Sequence, residues 1–176
     1  KEIEEMLGRE KERSDNLLRQ ILPSAKVVEL KETGTVKPSR YDNVAMLFTD
    51  IVGFTRFCDT HPAEEVVANL QQVIGQFEAI SEKHGLEKIK TIGDAFMAAS
   101  GLLVPHENPT LVAIEAARDM IAVLNSHEHW SIRAGIAYGS VQAGIVGKTK
   151  YLFDVWGDTV NMAARMESKA TPGRIL

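Results

Sequence analysis

The sequence has 176 residues, of which 44% are hydrophobic and 25% are charged, a composition typical of a soluble globular domain. The net charge of −4 argues against non-specific nucleic-acid binding, which relies on basic surfaces. The single cysteine, Cys58, excludes an intrachain disulfide, and no apolar run approaches the roughly 20 residues of a membrane-spanning helix. These features predict a cytoplasmic domain, although the whole protein could still be anchored in a membrane upstream.

The first 22 residues predict a charged helix that ends before Pro23. Apolar residues recur in it at helical spacing: Ile3, Met6, Leu7, Leu17, Leu18, Ile21 and Leu22. Read as heptads, this spacing favours a coiled coil over a helix that packs on its own domain. Glu10 and Ser14 would lie on the apolar seam of that coiled coil and would make it weak. Residues 23–43 follow as a polar connector.

The apolar run Ala45–Phe48 predicts a short buried strand that places Asp50 at its C-terminal end. Gly53 then allows the backbone to turn tightly. A carboxylate at a strand end can bind a divalent cation, and the successive backbone N–H groups of residues 53–55 can bind phosphate. The stretch indicates a metal–nucleotide site, but it also suits a strand whose terminal Asp caps a helix.

An amphipathic helix at about residues 62–83 follows and is closed by Gly85. Its predicted apolar stripe consists of Val66, Val67, Leu70, Val73, Ile74, Phe77 and Ile80. Residues 87–99 predict two short strands around a tight turn at Gly93 and Asp94. Aspartate is also common at such turns for purely local reasons.

A second helix is predicted at about residues 110–125, with Asn108 as its N-cap. Its predicted buried residues are Leu111, Ile114, Ala117, Met120, Ile121 and Leu124. Residues 131–138 and 141–147 predict two strands around a turn at residues 139–140.

A last strand ends near Asp154, and a helix starts with Asp158 as its predicted N-cap. Asn161 and Arg165 are four residues apart in that helix and therefore share one face. The element order is βαββαβ with additions, preceded by the N-terminal helix. It predicts an α+β fold in which helices cover one face of a mostly antiparallel sheet.

Three motifs occur in these elements: LFTDIVGFT at 47–55, KTIGD at 90–94, and DVWG at 154–157 followed by Asn161 and Arg165. Together they resemble the motifs of the class III nucleotidyl cyclase catalytic domain, in the same order. The resemblance begins near Tyr41 and implies a ferredoxin-like, palm-type core with a catalytic domain over residues 44–176. It also implies that the family's last strands, which supply a triphosphate-binding lysine, are missing from this chain.

The resemblance implies that Asp50 and Asp94, helped by the backbone carbonyl of Ile51, bind two Mg²⁺ or Mn²⁺ ions per site. Hard oxygen ligands suit both ions. The implied reaction is attack of the ribose 3′-oxygen on the α-phosphorus, which expels pyrophosphate and yields a cyclic 3′,5′-monophosphate. The implied triphosphate contacts are the backbone N–H groups of Gly53, Phe54 and Thr55.

Four further roles follow from the resemblance. Asn161 positions the ribose, and Arg165 contacts the phosphoryl oxygens as charge moves onto the leaving group. Lys90 and Asp154 contact the base. A lysine donates to N1 of adenine and an aspartate accepts from its 6-amino group, whereas guanine reverses both polarities. Guanylyl cyclases of the family carry Glu and Cys-like residues there, so this pair implies ATP as the substrate.

In the family, the metal-binding aspartates come from one subunit and the base-, ribose- and phosphoryl-binding residues from the other. This chain carries both sets, which implies a head-to-tail homodimer with two equivalent sites and an inactive monomer. The N-terminal helix would then link an upstream regulatory or sensor domain to the catalytic domain.

Two alternatives stay open. A diguanylate cyclase shares the βαββαβ core, but its Gly-Gly-Asp/Glu-Glu-Phe hairpin requires an extra acid that Ile92–Phe96 lacks. An inactive cyclase homologue could act as a nucleotide-binding or dimerising module. Loss of a metal aspartate or of the arginine would indicate such a module, and both are retained.

Overall fold

A computed structural model of the chain describes residues 2–127, 130–147 and 150–176, so Lys1 of the predicted first helix lies outside it. Within these residues it has six helices and five strands. In chain order they are α1 (Glu2–Ile21), α2 (Ser24–Thr33), β1 (Ser39–Val52), α3 (Phe54–Thr60), α4 (Ala63–His84), β2 (Glu87–Ile92), β3 (Ala95–Ser100), α5 (Pro109–Asn125), β4 (Ser131–Val146), β5 (Leu152–Trp156) and α6 (Asp158–Lys169).

The five strands form one sheet in the order β2-β3-β1-β4-β5. Strand β3 pairs antiparallel with both β1 and β2, as the predicted hairpin requires. The register of β1 and β3 runs from Ala45 opposite Ser100 to Thr49 opposite Phe96. The predicted fold, an antiparallel sheet with helices and a preceding N-terminal helix, is confirmed.

Helices α4 and α5 pack on the sheet through one apolar cluster. Its most buried large residues are Leu47, Phe77, Phe96, Met120, Leu124 and Ile132, each at most 1% exposed. Two residues of the predicted stripes were assigned wrongly, because Val67 is 59% and Leu111 is 50% exposed. Val67 follows Val66 directly, and a step of one residue turns the side chain by about 100° around the helix, away from the core.

Strand β4 corrects another prediction, because it runs without a turn through residues 139–140. Gly139 is not among the glycines with positive φ. A Cβ atom placed on it would lie 2.6 Å from Oγ1 of Thr159 in α6. The glycine therefore permits close approach of a helix and does not form a hairpin turn.

The ends of two helices test the predicted caps. Asn108 caps α5 as predicted, and its side chain accepts a hydrogen bond from the N–H of Leu111 at 3.0 Å. The N-cap of α6 is Gly157, at φ 133°, so the prediction of Asp158 was wrong by one residue. Asp158 lies in the first turn, where its negative charge still favours the helix.

By its contacts the chain forms two compact units, residues up to 39 with 142–155, and residues 40–141 with 156–176. In the first unit, α1 ends just before Pro23 as predicted. The segment predicted as a polar connector contains the helix α2, so this part of the prediction was wrong. Lys31 of α2 forms an ion pair with Asp15 of α1 at 2.5 Å. None of the described helices is long and apolar enough to cross a membrane.

Candidate functional site

Two acidic side chains meet where β1 ends and the β2–β3 hairpin turns. The antiparallel register that pairs Thr49 with Phe96 brings Asp50 alongside Asp94. Burial raises the pKa of Asp94, and the negative charge of the neighbouring Asp50 raises it further. Hydrogen bonds from the backbone N–H groups of Asp94 and Ile51 act in the opposite direction. The structure therefore brings together the three residues that the sequence assigned to metal binding.

Arg133 of β4 contacts Asp50 of this pair. Its Nη2 donates a hydrogen bond to Oδ2 of Asp50 at 2.6 Å. Its Nε lies 3.3 Å from Oε1 of Glu167 in α6, an ion-pair distance. The hydrogen bond to Asp50 raises the pKa of Arg133, and burial raises the pKa of Glu167. Sequence reasoning missed both residues, although a charged residue within the apolar strand around Arg133 was a usable signal.

The donor set of this site fits Mg²⁺ or Mn²⁺. Asp50 and Asp94 offer hard carboxylate oxygens, and the chain passes through Ile51 directly beside them. Among the described residues, no group of three or more His, Cys, Asp or Glu side chains could enclose a metal ion. Mg²⁺ sites commonly use only one or two carboxylates, with waters and substrate phosphates completing the shell.

The turn after β1 is fixed by a glycine and by aromatic packing. Gly53 adopts a left-handed conformation at φ 94° and precedes α3. Phe54 and Phe57 of that helix pack edge-on against Trp130, with ring centroids 5.7 and 5.1 Å apart. Gly53 and Thr55 are exposed. The first N–H groups of a helix lack partners within it, so this exposed turn suits an anionic group.

Helix α6 carries Asn161 and Arg165 one turn apart on an exposed face, while Ala163 is buried. Its opposite side rests directly on the backbone of β4. A Cβ atom placed on Gly135 would lie 2.0 Å from the N atom of Glu167. Asn161 and Arg165 therefore project from a helix whose distance to the sheet is fixed by backbone contact.

The two predicted base-contacting residues lie on β2 and β5. Lys90 is half-buried, four residues before Asp94. Asp154 is 7% exposed, and its Oδ1 accepts a hydrogen bond from the N–H of Val155 at 2.8 Å. That bond orients the Asp154 carboxylate. Lys90 belongs to the second compact unit and Asp154 to the first.

Comparison with known families gives a match to the model described as the adenylate and guanylate cyclase catalytic domain, over residues 36–176. An adenylate cyclase of Mycobacterium tuberculosis is 36% identical, over 98% of this chain and 40% of that protein. Guanylyl cyclase C of Homo sapiens is 40% identical, over 94% of this chain and 16% of that protein. The chain thus spans well under half the length of these relatives.

Solved structures of cyclases are also similar to this chain. The catalytic core of a rhodopsin-guanylyl cyclase with converted specificity, in complex with ATPαS, superimposes with a TM-score of 0.76 at 32% identity. That match covers 79% of this chain and 78% of the other. A bacterial light-regulated adenylyl cyclase matches with a TM-score of 0.77 at 25% identity, over 93% of this chain and 50% of the other.

Proposed function

The chain belongs to the adenylate and guanylate cyclase catalytic domain family, and from this membership we propose that it is an adenylyl cyclase. It would convert ATP to 3′,5′-cyclic AMP and pyrophosphate in the cytoplasm. The observation that carries the enzymatic part of the proposal is the meeting of Asp50 and Asp94 at the end of β1. An inactive homologue would have no need of two partly buried carboxylates side by side.

Asp50 and Asp94, with the carbonyl of Ile51, would hold two Mg²⁺ or Mn²⁺ ions. When bound, these ions favour ionisation of the ribose 3′-hydroxyl and stabilise the charge on the departing pyrophosphate. The backbone N–H groups of Gly53, Phe54 and Thr55 would bind the triphosphate. Because Trp130 packs against Phe54, this turn is held in place before the nucleotide arrives.

The residues on α6 would act on the rest of the nucleotide. Asn161 would hold the ribose so that its 3′-oxygen lies in line with the bond that breaks. Arg165, whose planar guanidinium stays charged, would stabilise the negative charge that grows on the phosphoryl oxygens. The close backbone contact between α6 and β4 supports this role, because positioning lowers the reaction barrier only if the side chains stay in place.

The choice of ATP rests on Lys90 and Asp154, not on overall similarity, since adenylate and guanylyl cyclases are comparably similar to the chain. Lys90 would donate to N1 of adenine, and Asp154 would accept from the 6-amino group. Guanine would leave these groups unsatisfied at a cost of about 1–3 kcal/mol each. The hydrogen bond from Val155 supports the assignment, because it fixes an acceptor in a buried position.

The direct test is cyclic nucleotide formation from ATP and from GTP, each with Mg²⁺ and with Mn²⁺. It should be run on this chain and on the chain extended past Leu176. We expect cyclic AMP from ATP and little cyclic GMP from GTP. Comparable use of GTP would contradict the assignment of the base. Nucleotide binding without any product would favour the inactive regulatory module.

We further propose that the sites form at the interface of a head-to-tail homodimer. One chain would supply Asp50 and Asp94, and its partner would supply the base-, ribose- and phosphoryl-binding residues. The domain organisation would be a signalling helix over residues 1–22, a connector over 23–43 and the catalytic domain from 44. An upstream sensor is compatible with the small share of its relatives that the chain spans.

In this scheme α1 pairs with a second α1 as a coiled coil. Its support is a set of large apolar side chains that are 53–74% exposed: Ile3, Met6, Leu7, Leu17 and Ile21. We expect the double substitution of Leu7→Lys and Leu17→Lys to weaken dimerisation on the order of tenfold, because it places charges on the seam. Glu12→Lys introduces the same residue away from the seam and serves as the control. Sedimentation velocity measures the dimer affinity of both variants. Equal affinities would contradict the coiled coil and indicate that α1 is a solvated helix.

A further inference from the structure

Arg133 bridges two carboxylates that belong to different elements of the fold. On one side it donates a hydrogen bond to Asp50 at 2.6 Å, and on the other its Nε lies 3.3 Å from Glu167. The three side chains are only 31%, 23% and 14% exposed for Arg133, Asp50 and Glu167. Charges in such partly desolvated surroundings interact more strongly than charges on the open surface.

The two halves of the bridge differ in kind. The contact with Asp50 is a short, charge-assisted hydrogen bond, which is strong and directional. The contact with Glu167 brings together two solvent-shielded atoms at ion-pair distance without a hydrogen bond, so its attraction is mainly Coulombic. Glu167 cannot follow Arg133 freely, because its backbone rests on Gly135 of β4.

We propose that Arg133 is a positioning residue that sets the affinity of the Asp50–Asp94 pair for its divalent cation, with Glu167 moderating it. This inference rests on the metal site of the proposed function. Arg133 holds Oδ2 of Asp50 in one orientation and competes with the cation for the negative charge of that carboxylate. Glu167 attracts the guanidinium from the other side and so weakens the competition.

The two roles of Arg133 predict effects of opposite sign. Arg133→Met removes the positive charge, so cation binding becomes tighter. It also removes the hydrogen bond that orients Asp50, so kcat falls, because a misplaced carboxylate no longer aligns the reacting groups. A residue with a merely structural role would weaken cation binding and turnover together.

The experiment measures binding of Mn²⁺ alone, without nucleotide, from the electron paramagnetic resonance signal of the free ion. We expect Arg133→Met to lower the Kd for Mn²⁺ on the order of fivefold and Glu167→Gln to raise it by a similar factor. Arg133→Lys keeps the charge and should stay close to the unsubstituted protein. In the Arg133→Met background, Glu167→Gln should have a smaller effect, since Glu167 acts partly through Arg133.

The outcomes separate this inference from the function on which it rests. If the unsubstituted protein binds no Mn²⁺, or if Asp50→Asn binds it equally well, the proposed metal site fails and the inference fails with it. If Asp50→Asn abolishes binding but Arg133→Met leaves the Kd unchanged or raises it, only the inference is overturned. Should Arg133→Met not fold, an unchanged Kd in Glu167→Gln overturns it instead.

Discussion

An equimolar mixture of Asp50→Asn and Arg165→Ala chains should recover about a quarter of the unsubstituted cyclase activity, although each variant alone should be inactive. In a head-to-tail dimer, each site takes its metal ligands from one chain and its arginine from the other. Half of the dimers in the mixture contain both variants, and each of those has one site with both defects and one intact site. Either substitution alone removes a group that we propose to act on the transition state, so we expect a loss on the order of 10³-fold or more.

The measurement is the rate of cyclic AMP formation after the two purified variants are mixed and allowed to exchange subunits. A mixture of Asp50→Asn with Asp94→Asn is the matched control, because both defects lie in the same half of the site and no intact site can form. Recovery in this control, or no recovery in the first mixture despite subunit exchange, would contradict sites shared between chains.

Exchanging Lys90 and Asp154, the proposed base contacts, should convert the substrate preference. In the double variant Lys90→Glu with Asp154→Cys, the glutamate at 90 can accept a hydrogen bond from N1 of guanine. The cysteine at 154 no longer places a carboxylate acceptor opposite O6 of guanine, which is itself an acceptor. We expect the ratio of kcat/KM for ATP over GTP to fall on the order of 10³-fold, because the groups that face the base change at one half-buried and one buried position.

Lys88→Glu provides the control for that exchange. Lys88 lies on the same strand two residues earlier and forms an ion pair with Glu78. Reversing its charge alters the electrostatics of β2 without touching the proposed base contact, so the preference for ATP should persist. If the preference for ATP over GTP shifts in Lys88→Glu, or does not shift in the double variant, residues other than Lys90 and Asp154 select the base.

Local chemistry explains which elements could be predicted from the sequence. The β2–β3 hairpin and the cap at Asn108 depend on residues close in the chain, and both are observed. Strand β4 was split wrongly because Gly139 followed by a serine is also a common turn sequence. Only the approach of Thr159, twenty residues further on, reveals why a glycine is needed there.

In the candidate site too, residues with local sequence signals could be predicted, whereas contacts between distant parts of the chain could not. Asp50 was recognisable because it ends an apolar strand, and Asp94 because it occupies a hairpin tip. Arg133 lies 83 residues from Asp50 in the sequence, and their contact depends on β1 and β4 being neighbours in the sheet. Neither residue's immediate surroundings in the chain encode that pairing. The partners of Asp50, the proposed metal ligand, are thus less predictable than Asp50 itself.

The antiparallel register between β1 and β3 makes the length of the chain, as well as the identity of its residues, a requirement for bringing Asp50 and Asp94 together. Ala95–Ser100 carries Asp94 to a fixed height beside Asp50. Deleting one of these six residues would keep every acidic and basic side chain of the site. If the rest of β3 stays paired with β1, the deletion would slide Asp94 by one strand position, about 3.4 Å, and reverse the face that each β3 side chain before the deletion occupies. The stretch after Ser100 and before Pro109 belongs to no strand, so the position of Asp94 beside Asp50 does not depend on its length.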